Sequence, residues 1–232
     1  MKQSKTCILF TSDNQHLSEA AEIYTRNLFN VQFVGRYDRR VKHFPKSLIS
    51  QLTKMKVDYL FNFLSPVIVP RLLLETIKVA SINFHPAPPK WPGIGSPSFA
   101  LYENDKTFGV TAHHMTQKID AGPIIQVLHF PILLSDTCDS LFARALNYSL
   151  ILFYEVLKNI DKTGRISTSS ELWQKKALTR KQFERFMTLS VYDSSGEIKR
   201  KIKAVRSHHF PGPFLSFSGY TFQIPPASPT LK

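Results

Sequence analysis

The chain has 232 residues, 43% of them apolar, with 30 Lys and Arg against 17 Asp and Glu, a formal net charge of +13 and two cysteines. That apolar fraction builds an ordinary core and argues against a disordered or disulfide-scaffolded chain. The positive charge favours partners carrying phosphate or carboxylate. It comes with no zinc-finger spacing, heptad or aromatic RNA-binding signature, so small anionic ligands are expected ahead of nucleic acid.

In chain order, Thr6–Phe10 reads as a strand, Gln15–Phe29 as a helix, Val31–Gly35 as a strand, Phe44–Met55 as a short helix and Tyr59–Leu64 as a buried strand. Pro66 and Pro70 fit the opening of a helix from Val67 to Lys78, and Ala80–Asn83 reads as the next strand. This alternation predicts an α/β protein with a Rossmann-like, mostly parallel sheet flanked by helices. Five prolines between Pro86 and Pro97, with Gly93 and Gly95, predict a stiff loop. Strands follow at Phe108–Met115 and Pro123–Ile132, joined by a loop that carries Asp120. Asp136 or Thr137 caps a long helix to Ile160. That helix is the longest apolar stretch, but Arg144, Asn147, Glu155 and Lys158 interrupt it, so it reads as a core helix and not a membrane span.

A domain boundary is placed near Gly164, giving a catalytic domain at 1–164 and an extension at 165–232. The extension is basic, with helices near Arg180–Leu189 and Glu197–Arg206 and an aromatic hairpin over Phe214–Ile224 that turns at Ser218-Gly219. Cys7 and Cys138 read as reduced core thiols, and the short apolar run after Lys5 is too brief for a signal peptide. A cytoplasmic protein is expected.

Asn83-Phe84-His85-Pro86 lies where open α/β sheets place ligands, at the carboxyl end of a strand. Residues two apart on a strand share a face, so Asn83 and His85 point into one pocket. Histidine titrates near neutrality, and a carboxylate such as Asp120 orients it and stabilises its protonated form. Asn83 supplies a neutral donor for an oxyanion. No serine or cysteine is placed as a nucleophile, so the attacking group is expected from the substrate, as in acyl transfer to an amine. His113 and His114 face opposite ways on their strand and lack a third ligand, and no metal is expected. Trp91 and the aromatics Phe210, Phe214, Phe217, Tyr220 and Phe222 suit base stacking or, equally, a hairpin core or dimer surface.

The runs Ile82–Pro86, Pro89–Gly93, Gly109–Met115 and Ile119–Ile125 closely resemble the 10-formyltetrahydrofolate-dependent formyltransferases, densely from Asp58 to Pro131. The resemblance implies a Rossmann-like catalytic domain, catalytic Asn83, His85 and Asp120, and 10-formyltetrahydrofolate as co-substrate. It also implies pterin contacts with the backbone of Val67, Ile68 and Val69 and of Thr116, Gln117, Lys118, Ile119 and Asp120. Within this group the chain is most similar to the sugar-nucleotide N-formyltransferases, which implies a dTDP-linked amino-dideoxy sugar as acceptor, in O-antigen biosynthesis. Thr11–His16 lacks the glycines that a glycinamide ribonucleotide enzyme would use for phosphate. The stretch after Gly164 looks short for the barrel of a methionyl-tRNA enzyme. Trp91, Lys175, Lys176 and Arg180 are the candidates for the sugar nucleotide. Ile94 stands where some relatives carry an arginine. A homodimer through the hairpin is expected, and neither the C3 nor the C4 amine is favoured by the residues themselves.

Overall fold

The computed structural model describes residues 5–38, 40–41, 44–208 and 211–224. Arg39, Lys42 and, of the aromatic group, Phe210 lie outside them. The chain runs β1 (Thr6–Ser12), α1 (Gln15–Leu28), β2 (Asn30–Tyr37), α2 (Lys46–Lys54), β3 (Tyr59–Phe63), α3 (Arg71–Leu74) and β4 (Ala80–His85). It continues as α4 (Ser96–Tyr102), β5 (Thr107–His114), β6 (Ile124–Pro131) and α5 (Cys138–Thr163). One sheet takes the order β2-β1-β3-β4-β5-β6. Its first four strands are parallel, while β5 runs antiparallel to β4 and β6 antiparallel to β5. The expected mostly parallel α/β architecture is present. Joined as a long hairpin, β5 and β6 need no crossover helix between them.

The expected helix from Val67 to Lys78 is not formed. Only Arg71–Leu74 is helical, and it begins after Pro70, whose ψ of 145° is extended. A proline disfavours the helical region for the residue before it and has no N–H for a ladder, so two prolines four apart hold 66–70 outside the helix. The consequence is an irregular segment facing the carboxyl ends of the strands. Conversely, the proline loop contains α4, with a proline in its first turn, where the missing N–H costs nothing.

Both faces of the sheet are covered. Phe153 of α5 packs against Phe63 and Phe84, with ring centroids 4.8 Å away in each case. Its apolar positions Leu141, Ala145, Leu152, Val156 and Ile160 recur at helical spacing on one buried stripe. Thr137 is the cap that starts this helix, through reciprocal bonds with Ser140. Asp136, the other candidate, instead accepts from Leu133 N and pairs with Arg144. On the opposite face Ile8, Phe10, Leu52, Leu60 and Leu73 form a second cluster. Cys7 and Cys138 are free and buried, and burial pushes their thiols up to about 12 and about 11. No helix among the described residues is long and apolar enough to cross a membrane.

Beyond residue 164 come α6 (Arg180–Met187), β7 (Thr188–Ser190), α7 (Ser195–Val205), β8 (Phe214–Phe217) and β9 (Tyr220–Gln223). The predicted end of the first helix, at Leu189, is in fact strand: β7 pairs in parallel with β8 and makes a three-stranded sheet with β9. The hairpin turns at Ser218 and Gly219, both with positive φ (48° and 81°), the hand that suits a two-residue turn between twisted strands. Phe183, Met187, Ala204 and Val205 pack with Ile94, Phe99 and Tyr102, so the extension shares a core with α4.

Candidate active site

Three chain segments converge where β3 and β4 end. Asn83 on β4 lies opposite His113 on β5, and on its other side opposite Asn62 on β3. In this register three polar side chains occupy adjacent strands on one face. Asn62 Nδ2 donates to Asn83 Oδ1 at 2.8 Å, and Asn83 Nδ2 meets His113 Nε2 at 3.0 Å. His113 Nδ1 lies 2.9 Å from the His114 carbonyl, which can only accept. A proton is therefore placed on His113 Nδ1, and Nε2 lies between the Asn83 amide and Asp120 Oδ1. This relay fixes the Asn83 amide and leaves its second N–H for a ligand.

His85, two residues beyond Asn83, sits beside Asp120. Its Nδ1 is 3.3 Å from Asp120 Oδ2, and its Nε2 is 3.2 Å from the Trp91 carbonyl. Both ring nitrogens thus face oxygen acceptors. The other carboxylate oxygen of Asp120 is 3.3 Å from His113 Nε2, and Gly93 N donates to Oδ2 at 2.8 Å. Asp120, His85 and His113 are buried, at 7%, 8% and 2% exposure. Burial alone would raise the Asp120 carboxyl, but His85 beside it, His113 and the Gly93 N–H together hold it down at about 2. The ionised carboxylate is the resting state of the site.

The loop between β5 and β6 delivers this carboxylate in a constrained backbone. Asp120 has φ of +43°, which aspartate tolerates better than most residues. Two residues on, a Cβ at Gly122 would lie 1.9 Å from the His114 carbonyl oxygen, so only glycine lets the loop close on the end of β5.

These groups lie on the floor of a cleft of about 1080 Å³. Its walls are the residues that follow β1, β3 and β5, together with one face of α5 at Asp139, Phe142 and Leu146. Val67, Ile68 and Val69 line one wall, and Thr116, Gln117, Lys118 and Ile119 line another. Both stretches lie outside helix and sheet. The walls carry Arg40 and Lys118 as cations, and Arg40 is paired with Asp38 at 2.7 Å. The net charge of +13 is therefore not concentrated here.

Four candidates fall elsewhere. Trp91 is 2% exposed, stacked on Phe99 at 5.6 Å, with its indole N–H on Asp105 at 2.7 Å, and it lends the site only its carbonyl. Lys175 lies over the Trp91 ring at 3.8 Å and pairs with Glu103. Lys176 and Arg180 are exposed and do not line the cleft. Asn62, His113 and Trp173 were not singled out for this chemistry from sequence. Alternation placed His113 and His114 on opposite faces, but only the β4–β5 register shows which of them turns inward. Among the described residues no group of His, Cys, Asp and Glu is arranged to hold a metal ion.

Comparison with known proteins accords with this geometry. The chain is 33% identical over 125 residues to the bifunctional polymyxin resistance protein ArnA of Wigglesworthia glossinidia brevipalpis, covering 51% of this chain and 19% of that protein. It is 29% identical over 160 residues to the methionyl-tRNA formyltransferase of Latilactobacillus sakei, covering 67% of this chain and 48% of that enzyme. The chain thus spans about half or less of the length of these curated relatives. A sugar N-formyltransferase from a Shewanella species superposes with a TM-score of 0.75 at 17% identity, covering 98% of this chain and 99% of that one. The N-formyltransferase of Helicobacter canadensis, solved with folinic acid and dTDP-3-aminofucose, gives 0.64 at 22% identity, covering 94% and 85%. At these identities the likeness is one of fold. The sequence model of the formyl transferase family matches residues 6–157, well over half the chain and the whole of the sheet that carries the site. The chain belongs to the formyl transferase family.

Proposed function

We propose that the protein transfers a formyl group from 10-formyltetrahydrofolate to the amine of a dTDP-linked amino-dideoxy sugar, with dTDP-4-amino-4,6-dideoxyglucose as the favoured acceptor. The observation that carries the reading is the cluster of Asn83, His85 and Asp120 on the cleft floor. Its imidazoles bond to Asp120, Asn83 and main-chain carbonyls, not to a serine or cysteine. Such a site polarises and moves protons but brings no nucleophile, which suits an amine acceptor.

The donor supplies an activated formyl carbon, to which the acceptor nitrogen bonds as the donor's own carbon–nitrogen bond breaks. Asn83 offers its free N–H, and His85 a ring N–H, to the negative charge developing on the formyl oxygen. Asp120 holds His85 and, as an ionised carboxylate, receives the proton that the attacking amine must lose. His85 gives a proton to the departing nitrogen and recovers one from Asp120 across their 3.3 Å contact, so both groups end as they began. The irregular main chain at 67–69 and 116–119 fits a flat, hydrogen-bonding heterocycle, since backbone donors and acceptors read its edge. The buried side chains of Val67 and Val69 add an apolar surface.

The sugar acceptor is supported by the structural neighbours, which include sugar N-formyltransferases that superpose on nearly the whole of this chain. In the same reading the enzyme works in the cytoplasm in O-antigen assembly and forms a homodimer through the hairpin, whose Phe217, Tyr220 and Phe222 are exposed. The test incubates purified protein with 10-formyltetrahydrofolate and dTDP-3-amino and dTDP-4-amino sugars, and separately with methionyl-tRNA. Mass spectrometry should find one added formyl group on a sugar nucleotide. Formylation of the tRNA alone would assign the protein to the other acceptor.

A further inference from the structure

After α5 the chain runs from Arg165 to Thr179 without a helix or strand. It is tied to the proline loop and to the start of β6 by main-chain bonds. Ser169 N donates to Ile124 O at 2.9 Å, Gln174 N to Pro89 O at 3.1 Å and Leu178 N to Pro92 O at 2.9 Å, while Ile94 N donates back to Leu178 O at 3.0 Å. Trp173 lies in the middle of this strap. Its indole N–H donates to the Gly122 carbonyl at 2.7 Å, two residues after Asp120. Its ring stands edge-on to His113, with centroids 5.0 Å apart at 88°, and 6.1 Å from His85 at 61°. One side chain therefore touches both imidazoles and the loop that bears the carboxylate between them.

We propose that Trp173 is a positioning residue for the Asp120 centre, and that the catalytic unit runs through Leu178 and does not end at Gly164. The proposal deepens the formyl-transfer reading and rests on it for the kinetic part of its test. Asp120 sits in a nine-residue connection of irregular backbone and at positive φ, a conformation that persists only where surrounding contacts over-determine it. The Gly93 N–H holds its carboxylate from one side and the Trp173 indole holds its loop from the other. The ring also confines His113, whose Nε2 fixes Asn83. An ångström of drift in such a group costs on the order of a hundredfold in rate, because the reacting geometry is lost.

Two variants separate this role from simple packing. Trp173→Ala removes both the ring and the donor, whereas Trp173→Phe keeps a ring edge against His113 and removes only the bond to Gly122. Expected for Trp173→Ala is a fall in kcat of roughly ten- to a hundredfold with KM for donor and acceptor unchanged. Trp173→Phe should fall in between. Independently of turnover, side-chain 1H–15N spectra of the unliganded protein should show the His113 Nδ1–H tautomer. In Trp173→Ala that signal should move toward mixed tautomers, while the exposed His16 on α1 keeps its spectrum. If Trp173→Ala does not fold, Trp173→Phe carries both measurements. Unchanged kcat, a rise confined to the acceptor KM, or an unaltered His113 signal would overturn the proposal. Wild-type protein that formylates no acceptor would remove the functional reading, and the spectra would still decide what Trp173 does.

Discussion

The Asp120 centre and the C-terminal hairpin are both made of short segments rich in polar and aromatic side chains, yet they are held in opposite ways. At the centre each functional group has two or more partners, and Asp120, His85 and His113 are more than nine-tenths buried: Asp120 is fixed by Gly93, His85 and His113. In the hairpin, every residue of β9 is exposed, and order comes from the turn and one ladder with β8. A charged group at the centre is useful only if its surroundings are dry and fixed, since both the low dielectric and the geometry strengthen its interactions. The hairpin meets no such demand. Mutations should therefore act on chemistry in one region and on surface properties in the other.

The largest contrast is expected from Asp120→Asn, which keeps the shape but removes the charge that His85 faces. Formyl transfer should drop on the order of a thousandfold or more while circular dichroism shows the fold retained. Near-normal turnover would separate Asp120 from the chemistry. Next comes Asn83→Ala, which removes one oxyanion donor and should cost roughly a hundred- to a thousandfold in kcat. Asn62→Leu is expected to show a smaller loss of the same kind, because Asn83 then lacks the bond that sets its amide orientation. Equal losses in the two variants would contradict this order.

Acid stability follows with a sign set by Asp120. Its carboxyl is held at about 2 in the folded protein, below the ordinary value near 3.9 of an unfolded aspartate. Its contribution is therefore full above about pH 5 and fades as pH falls through 2, amounting to roughly 2 kcal/mol. Denaturant titrations of wild type and Asp120→Asn should converge by about that amount between pH 5 and pH 2. Parallel curves would refute the linkage. The smallest effect is expected in the hairpin, where Tyr220→Lys with Phe222→Lys should change stability by no more than about 0.5 kcal/mol and leave kcat per chain within twofold. Sedimentation should show the proposed dimer dissociating. A dimer that persists would place the interface elsewhere.

Much of this arrangement is legible before folding is considered. Strands β1, β3 and β4 appear as short apolar runs bounded by polar residues, because a strand buried on both faces needs them. Asn83 and His85 are visible as polar residues two apart where such a run ends, and Asp120 as a carboxylate in a loop between two strands. The helix expected from Val67 is the instructive miss: the apolar run through Leu74 has helical composition, but Pro70 moves the start, and the freed segment becomes a cleft wall. Trp91 and Lys175 misled for a related reason. An aromatic and a cation in a loop near a site look like ligand contacts, and here they satisfy one another and Glu103.

By itself, then, the order of residues determined the family, the parallel core of the sheet and the three side chains proposed to do the chemistry, since these depend on local pattern and on motif spacing. Tertiary structure decided the rest. Whether His113 or His114 faces Asn83 depends on the register of β5 against β4, and no residue near either histidine encodes it alone. That Trp173 reaches Gly122 and His113 depends on the path taken after Gly164, where the chain lacks periodicity and its position is set by bonds to segments 45 to 86 residues earlier. Long-range pairing of irregular segments is the part of a fold that local propensity cannot specify.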